Sequence, residues 1–166
     1  MKIKYAIIAL LDQLLKMLNN LNDKEYSQKV EIFKGTSIGQ HTRHIYELIE
    51  CLVNYQSKEI LCYDDRKRDI ELEKSRILMI SKISQFHKLL IQMPEEGNIQ
   101  VRHYLGEMGE VIVDSSISRE LLFVFDHTVH HLAIIRIGIE NHFTNIVLPS
   151  DFGFTPSTLR HFAAYN

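Results

Sequence analysis

Residues 117–141, ISRELLFVFDHTVHHLAIIRIGIEN, form a long apolar segment that contains no proline. Its apolar residues recur every three or four positions on more than one face, which is typical of a long, largely buried helix. Three histidines, His127, His130 and His131, interrupt the apolar run near its middle. The segment therefore predicts a long helix that carries a polar cluster into the protein interior.

Outside this segment, the sequence predicts three more long helices. The first covers about residues 3–20, and the third covers about 70–93 and ends before Pro94. The second begins at a capping box, with Ser37 at the N-cap and Gln40 three residues later, and is expected to run to about Cys62.

A short β-hairpin is predicted between the third and last long helices, from alternating or β-branched residues at 99–105 and 110–113. After residue 144 we expect a loop, and then a short helix that begins at Thr155 and Pro156. The pattern as a whole predicts an all-α fold: a four-helix bundle with a small β-hairpin insertion before the last long helix. The length of 166 residues fits a single domain covering 1–166.

Composition and charge exclude several other classes of protein. Seven glycines and three prolines are too few for the many turns of a β-sandwich or barrel. A net charge of -2 and an isoelectric point near 6.5 argue against binding to nucleic acid or to an anionic membrane. The first twenty residues are interrupted by Asp12, Gln13 and Lys16, so we interpret them as an amphipathic helix and not as a signal or membrane span.

The two cysteines, Cys51 and Cys62, are expected on one continuous helix. Eleven residues of helix would separate them by about 16 Å, too far for an intramolecular disulfide. Reduced thiols are typical of a reducing compartment, so the expected location is the cytoplasm.

Histidine is over-represented, with nine copies in the chain. His127 and His131 are four residues apart, so on a helix both imidazoles lie on one face and can hold one metal ion. A single pair at this spacing also arises by chance, and hydrogen bonds between the rings or to the backbone are the alternative explanation. His130 lies about 100 degrees around the helix from His131, which makes it a weaker candidate.

A third imidazole can come from the second predicted helix. His44 would complete three protein nitrogens with an open position, the arrangement of catalytic zinc sites. His41, one turn earlier, could be a fourth ligand or could support another ligand from behind. The expected metals are zinc and nickel, and iron is an alternative. Four histidines would leave no open position on a tetrahedral metal, whereas nickel or iron can bind four histidines and still keep a solvent position. Glu47, one turn after His44, is a candidate base or hydrogen-bond partner, with a solvated helix carboxylate as the equally weighted alternative.

At these residues the sequence resembles the DinB-like (DinB/YfiT) superfamily of metal-binding four-helix bundles. That family has one histidine early in its second helix and a pair of histidines four apart in a later helix. Here Ser37–His44 matches the first element and residues 126–131 match the second. Further matches are the segments Tyr63–Asp69, Ser116–Leu121 and Asp151–Thr158, and the resemblance covers nearly the whole chain.

The resemblance implies a divalent metal held by His44, His127 and His131, but it does not fix a reaction. Relatives include transferases and isomerases that use low-molecular-weight thiols. They also include the metal domain of ergothioneine-forming enzymes, in which a glutamate stands where this chain has Ala133.

Two functional expectations follow from the resemblance and the histidines. The first is a metal-dependent thiol S-transferase or hydrolase-like enzyme that activates a small thiol or water for a small-molecule substrate, with Arg43, Arg66, Arg68 or Arg119 available to orient an acidic group. The second is a metal-binding protein without turnover that acts in a stress response. A purely structural bundle with a vestigial histidine cluster is a third interpretation.

The last long helix also carries apolar residues away from the histidine row, at Leu122, Phe125, Val129 and Ile137. One bundle rarely needs that much apolar surface on one helix, so a homodimer through this helix or the first is possible. A broad interior face is the alternative explanation.

Overall fold

The first helix forms because apolar residues recur every three to four positions along its whole length. In the computed structural model, which describes residues 2–56 and 59–165, α1 (Lys2–Asn19) turns this apolar stripe inward. Lys4, near the start of α1, is also buried. Its ammonium group donates to the carbonyl oxygens of Ile91 and Met93 at 3.1 and 2.6 Å. This lysine thereby satisfies carbonyl groups that a neighbouring helix end leaves without helical partners.

The described part of the chain is mainly α-helical, with one small sheet. The remaining helices are α2 (Asp23–Ser27), α3 (Ile38–Val53), α4 (Ile70–Lys74), α5 (Arg76–Gln92), α6 (Ile117–His142) and α7 (Pro156–Tyr165). The strands are β1 (Leu61–Cys62), β2 (Asn98–Tyr104) and β3 (Glu110–Ser116).

The predicted start of the second long helix is confirmed, but its predicted end is wrong. Ser37 and Gln40 form the capping box at the start of α3. The helix ends at Val53, and not near Cys62, and Asn54 is its C-cap, with its N–H directed to the carbonyl oxygens of Glu50 and Leu52.

This early end also overturns the expected separation of the cysteines. Cys51 lies on α3 and Cys62 on β1, and both line one cavity of about 190 Å³. The estimate of 16 Å assumed a continuous helix and therefore does not apply. Both thiols are free cysteines in this structure.

The predicted third long helix is broken into two. Ser75 has an extended backbone, with φ -106° and ψ 102°, and it ends α4 and begins α5. Its hydroxyl accepts from the N–H of Leu78 at 3.3 Å. A serine side chain that bonds the backbone in this way favours a helix start over a helix interior, which explains the break.

The predicted hairpin is present, and its second strand is longer than predicted. β2 and β3 pair antiparallel from Asn98 opposite Ser116 to Tyr104 opposite Glu110. Gly109, with φ +86°, lies just before β3, in a conformation that L side chains rarely adopt. The sequence did not predict β1, which adds a parallel strand to β2 with Leu61 opposite Val101.

The four long helices α1, α3, α5 and α6 share one apolar core. α1 and α3 each pack against both α5 and α6. Core residues that are fully or almost fully buried come from all four helices: Ile7, Leu11, Leu14, Ile45, Ile49, Met79, Ile83, Leu121, Leu132 and Ile135. This packing brings the middle of α6 against α3.

A short helix that the sequence analysis did not anticipate lies between α1 and α3. Asn22 and Glu25 form a second capping box, which starts α2. Tyr26 on this helix is fully buried, and its hydroxyl donates to the Leu72 carbonyl at 2.5 Å. The contact fastens α2 to α4.

The segment after α6 folds back onto that helix. Phe152 is fully buried, and Gly153, with φ +71°, lies so close to α6 that an added Cβ would be 2.8 Å from the backbone nitrogen of Ala133. Arg136 donates to the Phe152 carbonyl at 2.9 Å. The predicted helix start at Thr155 is confirmed, since its hydroxyl accepts from the N–H of Thr158.

Within residues 2–56 and 59–165, one helix, α6, is long and apolar enough to cross a membrane by length and composition. The core helix of a soluble protein can meet the same criteria. The property therefore does not assign the protein to a membrane or to any compartment.

Candidate metal centre

The middle of α6 presents two histidines to α3. His127 and His131 are one helical turn apart and lie on one face, as their spacing predicts. His44 lies in the second turn of α3, the helix that packs against α6. The two helices therefore bring together three rings that are far apart in sequence.

The three rings meet through their Nε2 atoms. The Nε2 atom of His127 is 2.9 Å from that of His44 and 3.1 Å from that of His131. A tetrahedral ion with bonds of about 2.1 Å holds its ligand nitrogens about 3.4 Å apart, so a small outward movement would suit a metal. The three histidines lie close enough to hold a metal ion, with one ligand atom from each ring and all three atoms within 4.8 Å of one another.

Hydrogen bonding between the rings satisfies this cluster only in part. A neutral imidazole carries a proton on one nitrogen, so a proton on Nε2 of His127 can be donated to His44 or to His131. When each ring carries its proton on Nδ1 instead, all three Nε2 atoms keep a lone pair and none has a donor among the three rings. A cation bound between them would satisfy all three lone pairs, which makes the donor set suitable for a divalent metal.

Electrostatics keeps the three rings neutral, the form that binds metals. Burial lowers the pKa of His44 to about 3, and the nearby guanidinium of Arg66 adds to the effect. Burial, followed by the neighbouring histidines, lowers the pKa of His131 to about 2. The pKa of His127 is also lowered, first by burial and then by His130 and Arg66.

His41 lies behind His131. Its Nδ1 is 3.0 Å from Nδ1 of His131, and its Nε2 is 3.1 Å from the hydroxyl of Thr36. The ring also contacts Phe33 edge-on, with the centroids 5.1 Å apart. This places His41 where it can orient His131 and direct the other nitrogen of that ring towards the cluster. Sequence reasoning did not identify Thr36 or Phe33, which occupy no recognisable spacing relative to the histidines.

Glu47 is 1% exposed, and its contacts hold a loop against α3. Its carboxylate accepts from the Asp69 N–H at 2.7 Å and lies 3.6 Å from Nε of Arg43 and 3.5 Å from Nε of Arg66. Burial raises the pKa of this carboxyl, while the N–H group and both cations oppose the change. Its predicted role as a base remains a prediction, and these contacts provide a structural role in addition.

The other histidines lie outside the cluster. His130 is exposed, with its ring centroid 5.2 Å from that of His131. His87 contacts Asp12, and Nε2 of His142 lies 3.1 Å from the amide nitrogen of Gln28.

A cavity of about 450 Å³ opens beside the cluster. Among the residues that the structure describes, those that line it all belong to α6: Arg119, Leu122, Phe123, Asp126, His127 and His130. A small molecule in this cavity would contact the ring of His127 from the solvent side.

A second buried carboxylate, which sequence reasoning did not identify, lies at the start of α6. Glu120 is 1% exposed and accepts from the hydroxyls of Ser115 at 2.6 Å and Tyr63 at 3.0 Å. It also accepts from Nη1 of Arg119 at 2.9 Å. Only burial distinguishes this glutamate from an ordinary first-turn carboxylate, and the sequence does not reveal that burial.

Fold and site together define a mainly α-helical protein with three half-buried histidines, from two packed helices, that are close enough to hold a metal ion. Among curated proteins, the chain is similar to FK506-binding protein 5 of Rhizopus delemar, with 34% identity over 110 residues. The match covers 61% of this chain and 27% of that protein, so it spans about a quarter of the relative's length. No model of a protein family and no solved structure matches the chain.

Proposed function

We propose that this chain is a DinB-like four-helix bundle that binds a divalent metal ion through His44, His127 and His131. In this proposal the metal activates a small thiol or water for transfer to an electrophilic small molecule. Zinc and nickel are the favoured metals, since both accept imidazole ligands.

The packing of the long helices supports the bundle. α1 and α3 each contact both α5 and α6, so the four helices form a closed ring around the core. The hairpin of β2 and β3 lies directly before α6, where the resemblance places a break before the last long helix.

The observation that carries the proposal is the convergence of three Nε2 atoms from two helices, with separations of 2.9 and 3.1 Å along the row. Placing three imidazoles inside an apolar region is costly unless each ring finds a partner. A bound cation is the partner that uses all three lone pairs at once.

The surrounding residues have distinct tasks in this proposal. When bound, the ion would lower the pKa of a coordinated thiol or water. His41 positions His131, and the side chain of Arg66 adds positive charge near His44 that favours an anionic reactant. The cavity beside His127 gives a small molecule access from solvent.

Metal analysis tests the binding part of the proposal. Protein without an affinity tag should carry or take up about one equivalent of zinc or nickel, measured by elemental analysis after dialysis. Alanine at His44, His127 or His131 should abolish stoichiometric binding. His41→Ala should weaken it only about ten- to a hundredfold, as expected for a residue that supports a ligand.

His142→Ala is the matched control, because His142 lies outside the cluster with Gln28 as its partner. It should leave metal binding unchanged. The proposal fails if the wild-type protein binds less than a tenth of an equivalent, or if the control loses as much metal as the ligand variants.

Activity separates the enzyme from the alternative, a metal-binding protein without turnover. Metal-loaded protein should accelerate the reaction of a small thiol such as cysteine with a bimane electrophile, followed by fluorescence. His44→Ala should remove the acceleration. Full metal occupancy without acceleration for several thiols and electrophiles would favour the non-enzymatic alternative.

A further inference from the structure

Arg119 lies two helical turns before His127 on α6. Eight residues of helix correspond to about 12 Å along the axis. The side chain lines the cavity that reaches His127. It also lines a second cavity of about 730 Å³, formed by the hairpin, the start of α6 and the residues Tyr55, Glu59 and Ile60. Arg119 therefore lines both the larger cavity and the smaller cavity, which His127 also lines.

Two contacts hold this arginine in place. Its Nη1 donates to Glu120 at 2.9 Å, and its guanidinium carbon lies 5.4 Å from the centre of the Phe123 ring. Glu120 is itself fixed by the hydroxyls of Tyr63 and Ser115. The Arg119 side chain nevertheless stays 58% exposed, so part of the guanidinium remains accessible from the cavities. A guanidinium that is already fixed loses little freedom when it binds an anion.

The other arginines near the cluster are committed to the protein. Arg43 pairs with Glu73 and Glu47, and its side chain is 16% exposed. Arg66 donates to the Tyr63 carbonyl and lies beside Glu47, also with 16% exposure. Arg68 does not line either cavity. Arg119 differs from these arginines because it lines both cavities and because its side chain is more exposed than those of Arg43 and Arg66.

We propose that Arg119 binds a carboxylate of the small molecule that reacts at the histidine cluster. This inference rests on the proposed function and names the substrate class: a small organic acid whose carboxylate lies about 12 Å from its reacting end. The planar guanidinium suits a carboxylate. Asp114 and Asp126, which line the two cavities, favour a ligand with one negative charge over a more highly charged one.

Thiol ligands of different length and charge test the inference by direct binding. The protein is loaded with cobalt(II), and mercaptooctanoate and mercaptooctanol are titrated while the sulfur-to-cobalt absorption is recorded. The acid should bind about fivefold more tightly than the alcohol, because a single guanidinium–carboxylate pair near solvent contributes little more. Mercaptopropionate is too short to reach Arg119 and should show no such advantage over mercaptoethanol.

Arg119→Gln should remove the preference for mercaptooctanoate without changing the affinity for mercaptooctanol. Arg102→Gln is the matched control, because Arg102 also pairs with a glutamate, Glu110, and lines neither cavity. The control should keep the preference.

Failure of this inference can be told apart from failure of the metal site. If cobalt does not bind, the proposed function fails and the inference fails with it. If cobalt and both long thiols bind but the acid has no advantage, or Arg119→Gln retains it, the assignment of Arg119 is wrong while the metal site stands.

Discussion

The thiol of Cys51 is partly buried at the end of α3, and its surroundings oppose ionisation. Burial raises the pKa of this thiol to about 11, and the nearby carboxylate of Glu50 adds to the effect. Burial also raises the pKa of Cys62 on the opposite side of the same cavity. Because the thiolate is the reactive form, neither group is prepared to act as a nucleophile near neutral pH.

We therefore expect slow alkylation of Cys51. At pH 8 a pKa near 11 leaves far less thiolate than an ordinary cysteine has, so iodoacetamide should react about a hundredfold more slowly than with a free thiol. The rate should keep rising with pH up to about 11. Mass spectrometry of Cys62→Ser measures Cys51 alone, and Cys51→Ser measures Cys62. A rate that levels off near pH 8.5 for Cys51 would contradict the expectation.

At the site, the sequence predicted positions better than partners. The spacing of His127 and His131 placed them on one face, because helical periodicity alone determines that arrangement. The position of His44 beside this pair depends on how two helices pack. The resemblance implied that packing, whereas the spacing of residues along the chain does not predict it. The distant partners were not predictable: the Asp69 N–H that Glu47 accepts from is 22 residues away in sequence, and the Tyr63 hydroxyl that donates to Glu120 is 57 residues away.

At the scale of elements, the contact between α3 and α4 depends on a glycine. A Cβ added at Gly39 would collide with the carbonyl oxygen of Glu73, which is backbone and cannot turn aside. Tyr26 lies on the other side, with a ring carbon 3.1 Å from the same point. The absence of a side chain at Gly39 therefore lets the first turn of α3 approach α4.

Gly39→Ala should destabilise the protein by about 1–3 kcal/mol, the usual cost of forcing extra atoms into a packed contact. Urea unfolding followed by circular dichroism measures the change. An alanine variant as stable as the wild type would mean that α3 and α4 separate easily, and that Arg43 and Glu73 do not hold them together.

Helix starts were easier to predict than helix ends. The capping box at Ser37 is a local signal, and it fixed the start of α3. The end at Val53 and the break at Ser75 depend on how the chain turns to meet other elements, and apolar periodicity continues through both. Strand β1 is too short to produce a pattern of its own, and only its pairing with β2 defines it.

For the whole molecule, α6 keeps apolar side chains at the surface. Leu122 and Ile137 are 48% and 51% exposed, whereas Val129 is buried in the core. Val129 was one of the residues for which the sequence left open a dimer contact or a broad interior face, and it belongs to the interior. Leu122 lines the cavity beside His127, so Ile137 is the exposed residue that remains available for a partner.

We expect a homodimer through this face of α6, which sedimentation should detect as a species of twice the 19.4 kDa chain mass. Ile137→Glu should shift the population to the monomer, because it places a charge in the apolar contact. Ile77→Glu is the matched control, since Ile77 on α5 is 65% exposed and lies on a different helix. A wild-type protein that sediments only as a monomer would remove the dimer.

The separation of the site along the chain has a consequence for protein synthesis. His44 and His127 are 83 residues apart, and Gly153 lies against the backbone of α6 just after His131. Ribosomes add about 5–20 residues per second, so His44 leaves the ribosome several seconds before its partners exist. During that interval the nascent chain offers a metal only isolated imidazoles. The site is therefore assembled only after α6 has emerged and the segment around Phe152 can pack onto it.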